Sequence, residues 1–232
     1  MNQQKNKIKL IAIITMCFIL GMISFVTNMA APFGTIWGHK YEWAGMMGNM
    51  MVFAAYLFMG IPAGKMLVKI GYKKTVLAAL IIGIIGLGTQ YLSSIVGANI
   101  QVSKYANQPI ALNLIIYLLG AFICGFCVCM LNTAANPMLN TLGSGGNRGN
   151  QLIQIGGTLS SLVATLTPFF VGLLVGTVSA NTSMSDVTPL LFIGIAVFII
   201  SFLVILRVEI PEPHANKQMK YERSPLAFRH CL

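Results

Sequence analysis

The sequence predicts an all-α polytopic membrane protein with six transmembrane helices, and three observations carry that prediction. First, 56% of the 232 residues are apolar and 9% charged, with a mean hydropathy of +0.78, whereas a soluble chain carries about 25% charged residues. Disordered, coiled-coil and disulfide-scaffold chains have other compositions. Second, six stretches of 18 to 27 residues contain no Asp, Glu, Lys or Arg: 10–31, 44–64, 75–96, 110–131, 152–178 and 189–206. A bilayer-spanning helix needs about 20 residues at a rise of about 1.5 Å each. Third, with the N-terminus cytoplasmic, 13 of the 15 Lys and Arg residues fall inside and only Lys40 and Lys104 outside, which is the positive-inside bias of multi-pass proteins.

That bias accounts for the net charge of +10 through membrane insertion, so no nucleic-acid partner is expected. It divides the chain into a cytoplasmic N-terminus at 1–9, a six-helix bundle at 10–206 and a cytoplasmic tail at 207–232. The first window follows Lys5, Lys7 and Lys9 and runs 22 residues, longer than the roughly 7–15 apolar residues of a cleavable signal peptide. Thr27 and Asn28 are its polar break, and Asn28 is expected to close the helix. The second window carries Asn49 and Tyr56 and ends at Pro62-Ala63-Gly64. A basic connection with Lys65, Lys69, Lys73 and Lys74 leads to the third window. The fourth window passes into a polar run, a glycine-rich turn at 143–149 follows, and Gln151 and Gln154 open the fifth helix.

Two chemistries are excluded on the way. Cys124, Cys127 and Cys129 have the spacing of a metal half-site, but their window supplies no His or acid to complete one. Small buried thiols that let helices approach are the expectation, with no metal or other cofactor. Catalysis in the membrane needs an ionisable or nucleophilic constellation, yet His39, His214, His230 and all five acids lie outside the six windows. No enzyme is expected. The stretch Gly143 to Gly149 lacks the Lys-Ser/Thr ending of a phosphate cradle.

What remains is a set of neutral amides. Asn132, Asn136 and Asn140, four residues apart, drift only about 80° around a helix and share a face. Amides both donate and accept, which suits a polyhydroxylated ligand such as a sugar. The alternative is that they bind neighbouring helices, for about 0.6 kcal/mol each on average. Pro137 removes a backbone donor and is expected to bend the fourth helix.

Asn132-Thr133-Ala134-Ala135-Asn136-Pro137, with Leu142-Gly143 after it, resembles the fourth helix of the fucose and glucose/galactose permeases, a sugar:proton symporter branch of the major facilitator superfamily. Pro62-Ala63-Gly64 followed by Lys69-Ile70-Gly71-Tyr72-Lys73-Lys74 is similar to that branch's signature between its second and third helices, with Tyr56 in the matching place before it. The resemblance covers residues 10 to 206. It implies the N-terminal six-helix half of a major facilitator bundle in a bacterial inner membrane, with substrate-binding residues Asn28, Asn49, Tyr56, Asn132, Asn136 and Gln154. It also implies an inner gate at Gly64, Lys69, Gly71, Tyr72, Lys73 and Lys74. In such a gate Gly64 permits close packing, Gly71 the tight turn, and the lysines meet helix C-termini and anionic membrane lipid.

The chain departs from the family at telling places. Val68 stands where the superfamily usually has Asp. Asn28 and Asn132 stand where the fucose permeases have membrane-embedded acids, and an amide takes up no proton near neutral pH. The fifth-helix register leaves Gln154, Gly157 or Ser160 for the branch's Gln and Asn. The superfamily is built from two six-helix halves around a central site, so the expectation is a truncated product or fragment of a sugar transporter, inactive alone. Its expected partner is the missing C-terminal half or a second copy. A non-transporting membrane scaffold and a homodimeric carrier are the alternatives.

Overall fold

A computed structural model of the chain describes residues 2–105, 108–176, 179, 182–208 and 210. The tail from 211 to Leu232, in which the sequence suggests a linker toward a seventh helix, lies outside them. In chain order the elements are α1 (Asn2–Lys40), a short 3-10 turn (Glu42–Ala44), α2 (Met47–Ile95), β1 (Gln101–Tyr105), β2 (Gln108–Ala111), α3 (Leu112–Leu142), α4 (Gly146–Val175) and α5 (Thr188–Arg207). Five helices are long and apolar enough to cross a bilayer among the described residues. The protein is an all-α membrane protein.

Six separate helices are not what forms. The second and third windows fall in one 49-residue element, α2, interrupted only at Gly71 with φ 85° and ψ 174°. The physical reason is the connection: residues 65–70 are Lys, Met, Leu, Val, Lys and Ile, mostly good helix formers, so the helix runs on past the apolar window. Gly71 stops it, because that backbone conformation is essentially open to glycine alone.

The contacts of α3 show what the break does. Gly125 sits against Val52 and Ala55, and further along α3 Asn132 bonds Tyr56, so the limb 47–70 advances with α3. On the limb 72–95, Gly120 meets Gln90, Gly86 meets Cys124 and Gly83 meets Cys127, so residue numbers fall as those of α3 rise. The two limbs therefore run antiparallel along one helix. A Cβ on Gly125 would come within 2.7 Å of Val52 O, and one on Gly86 within 2.8 Å of Cys124 N. Backbones approach this closely only where side chains are minimal. Cys124 and Cys127 are buried in the same seam.

The core lies along α3, where Met130, Leu131, Ala134, Ala135, Met138 and Leu139 are fully buried. α1 packs on α3 and α4, and α5 on the second limb of α2, where Phe198 covers Gly83. α1 continues to Lys40, so Asn28 does not close it; its Nδ2 donates to Ser24 O at 2.8 Å. In hydrocarbon that internal bond satisfies the amide without ending the helix. His39 consequently sits in the last turn of α1. Beyond α2 a small antiparallel hairpin forms, β1 against β2, with an irregularity between Gln101 and Ser103. Tyr41 Oη donates to Pro109 O at 3.0 Å and accepts from Ala111 N at 3.2 Å, tying the hairpin to the end of α1. The turn between α3 and α4 uses positive φ at Ser144, Gly145 and Gly146.

Candidate functional site

The limb 47–70 and α3 bring two of the candidate residues into contact. Asn132 Nδ2 donates to Tyr56 Oη at 2.8 Å, and both side chains are half-buried. One turn further, Asn136 Nδ2 lies 3.4 Å from Asn132 O. Asn49 is half-buried on the same limb, seven residues and two turns before Tyr56. The Tyr56 hydroxyl hydrogen and Asn132 Oδ1 have no hydrogen-bond partner among the described residues, which leaves one donor and one acceptor side by side. That pair suits a ligand hydroxyl, which itself donates and accepts.

Asn28 and Gln154 do not join them. Gly156 of α4 lies against Leu20 and Leu139, so Gln154 is close to the level of Leu20. Asn28 lies eight residues beyond Leu20, a rise of about 12 Å. Gln154 is exposed. Ser160 spends its hydroxyl on Leu20 O at 3.2 Å, while Gly157 faces open space. α3 continues as helix through Pro137 to Leu142, and Thr141 Oγ1 donates to Pro137 O at 2.9 Å.

At the Gly71 turn, Lys73 Nζ donates to Leu206 O at 2.9 Å and to Val208 O at 3.0 Å, capping the C-terminal end of α5. An ammonium there also meets the negative end of the helix dipole. Tyr72 is buried, while Lys69 and Lys74 are exposed. Among the described residues a Cβ built at Gly64 meets nothing within 4 Å, so the close packing expected there is not made with any of them.

α4 carries a further polar row. Gln151, Gln154, Thr158, Ser161 and Thr165 recur at intervals of three and four residues and are all exposed. That spacing puts them on one stripe of the helix. The spacing is legible in the sequence once hydroxyls are counted together with amides.

No family model matches the chain, and no solved structure matches it. Two curated proteins do. Each is described as a glucose/galactose transporter, one from Brucella abortus biovar 1 (strain 9-941) and one from Brucella abortus (strain 2308). Each is 24% identical over 240 aligned residues, which cover 100% of this chain and 54% of the relative. The chain is similar to these transporters from end to end. It spans about half the length of the curated relatives it matches, and both relatives are transporters, not enzymes.

Proposed function

We propose that the chain is one bundle of a secondary carrier for a hexose-type sugar, working by alternating access in a bacterial inner membrane with both termini cytoplasmic. In this proposal the limbs of α2 cross the bilayer separately, giving six crossings. A second bundle, either a C-terminal half or another copy of the chain, supplies the opposite wall of the site. The observation that carries the reading is the α4 row. Only 11% of the most apolar stretch of α4 is buried, and five amides and hydroxyls face outward along the helix. Polar side chains in spanning helices face a bundle interior or a watery cavity, not lipid. The likeness to glucose/galactose transporters supports a sugar as what passes through such a cavity.

Tyr56, Asn132 and Asn136 form the sugar contact in this scheme, with Asn49 on the same limb and Asn28 and Gln154 at other depths. The turn at Gly71 with Lys69, Tyr72, Lys73 and Lys74 is the inner gate, on the side of anionic lipid. A membrane scaffold is the second reading, favoured by one observation: the Tyr56–Asn132 bond joins two helices, as structural amides do. A thermal melt in detergent separates the two. D-glucose or D-galactose should raise the melting temperature, and Asn132→Leu should abolish that rise. A melt indifferent to hexoses, together with no uptake when the chain is co-reconstituted with a relative's C-terminal half, would overturn the transport proposal.

A further inference from the structure

We propose that the groove between α1, α4 and α5 holds one anionic phospholipid, its acyl chain along the groove and its phosphate between Lys9 and Arg148. α5 packs mainly on the second limb of α2 and only sparsely on α1 and α4, and the three helices leave a groove of about 740 Å³ between them. Its walls are apolar side chains such as Phe18, Leu159, Val163, Phe170 and Ile193. Thr167 brings the one hydroxyl among the lining residues, and it is spent on Val163 O at 2.7 Å, so nothing there would bond a sugar. Along α4 the lining runs from Ile155 to Leu174, about 28 Å, close to the roughly 30 Å depth of bilayer hydrocarbon. These residues lie about 150° round α4 from the row of Gln154, Thr158 and Ser161, so a second bundle seated on the row leaves the groove facing lipid.

Any acyl chain would fill an apolar groove, and the charge at one end selects which lipid. A Cβ on Gly156 would meet Leu20, and Cys17 Sγ at 3.8 Å, while one on Gly21 would meet Val163 at 3.3 Å, so α1 and α4 run parallel and in register. Lys9 precedes Cys17 by eight residues and Arg148 precedes Gly156 by eight, about 12 Å in each case, so the two cations are level. Packed helix axes lie about 8–10 Å apart, a span that one headgroup bridges with two long side chains. Each cation also continues the lining: Lys9 stands one turn before Ile13, and Arg148 two turns before Ile155. Lys9 is half-buried and Arg148 exposed, and neither side chain has a partner among the described residues. Arg148 lies in the first turn of α4, whose free N–H groups and dipole also favour an anion. Among the described residues the acids are Glu42 and Asp186, both at the opposite end of the bundle, where Asp186 is taken up by Ser183 N at 2.8 Å. An anionic headgroup is therefore attracted to one end of the groove and not to the other.

Photo-labelling tests this on the full chain, in nanodiscs of phosphatidylcholine doped with phosphatidylglycerol that carries a diazirine in one acyl chain. Labelled residues are mapped by mass spectrometry, and the limb 47–70, where Phe53, Leu57 and Ile61 are exposed, serves as ordinary lipid contact. The expected result is labelling of the groove residues of α1 and α4 several-fold above that of the limb. The same diazirine on phosphatidylcholine should label both faces alike. Lys9→Gln and Arg148→Gln, both outside the packed core, should each lower the groove labelling by phosphatidylglycerol about five-fold and leave that of the limb unchanged. Ile193→Trp, on the groove wall and 40% exposed, should abolish it, and excess inorganic phosphate should not compete. Even labelling of groove and limb by phosphatidylglycerol, as from annular lipid alone, would overturn the proposal. So would groove labelling equal for the two headgroups, labelling unchanged in the Lys9→Gln/Arg148→Gln double variant, or labelling lost to free phosphate. A groove closed to both lipids in a chain that runs as a dimer would assign it to a second copy and overturn the proposal as well. None of these outcomes depends on sugar transport.

Discussion

Gly71 and the Tyr56–Asn132 pair show how much hangs on single positions. At φ 85° and ψ 174° any side chain at Gly71 is strained by about 1–3 kcal/mol. Gly71→Ala should therefore lower the melting temperature in detergent by several degrees. Gly88→Ala, helical and facing open space, should leave it level or slightly higher, because alanine is the better helix former. Equal effects at both positions would show that the turn does not depend on the glycine. Gly71 was legible in the sequence because it stands in a lysine-rich connection between apolar windows. Gly64 was not: its spacing looks the same whether its neighbour is a helix of this bundle or open space. For the cross-helix bond, a double-mutant cycle with Tyr56→Phe and Asn132→Leu should give a coupling of about 0.6 kcal/mol, read from unfolding equilibria without sugar. Coupling near zero would mean the two side chains do not meet.

Among the elements, α3 is the organiser, since both limbs of α2 lie on it backbone to backbone. Gly125 faces Val52 and Ala55, and Gly86 faces Cys124. Gly125→Leu must push the first limb away and should destabilise the bundle by about 1–3 kcal/mol, as overpacking does. Gly60→Leu on the same limb, with nothing within 4 Å, should be tolerated in detergent. Comparable losses at both would contradict the packing described for α3. α4 has the opposite character, with its polar row outward and few buried residues. The three-and-four spacing of that row could be read in advance. Its direction could not, because which stripe of a helix turns inward depends on how α1 and α3 pack against it.

For the molecule as a whole, the charge distribution makes a topological prediction. With the native cysteines replaced, Lys104→Cys on β1 should react with an impermeant maleimide in intact cells, and the exposed Lys74→Cys should react only after permeabilisation. Equal labelling would rule out the proposed orientation. Coupling belongs to this scale too, since it needs a buried group that titrates as the carrier changes exposure. A buried carboxyl serves because desolvation raises its pKa toward neutrality, and an amide cannot. In an assembled carrier, Asn132→Glu should introduce pH-dependent sugar exchange, while Asn132→Gln should leave the pH profile flat. Identical profiles for the two variants would show that position 132 does not face the proton path.

The sequence by itself determined that this is a helical membrane protein, where its apolar stretches lie and which ends of them carry the basic charge. Those properties follow from segment length and composition, because a bilayer demands internally bonded backbone over about 30 Å. The tertiary structure alone decided that two apolar windows share one element broken at Gly71, and that α1 runs on through Asn28 to Lys40. Those outcomes turn on the balance between local helix propensity and one backbone conformation, which windows of hydropathy do not register. It also decided that Tyr56 meets Asn132 while Asn28 and Gln154 stand apart, and that α1, α4 and α5 leave an apolar groove between them. Polar groups on different helices come together through helix rotation and depth. Both are set by the glycine and alanine contacts between helices, not by anything within one.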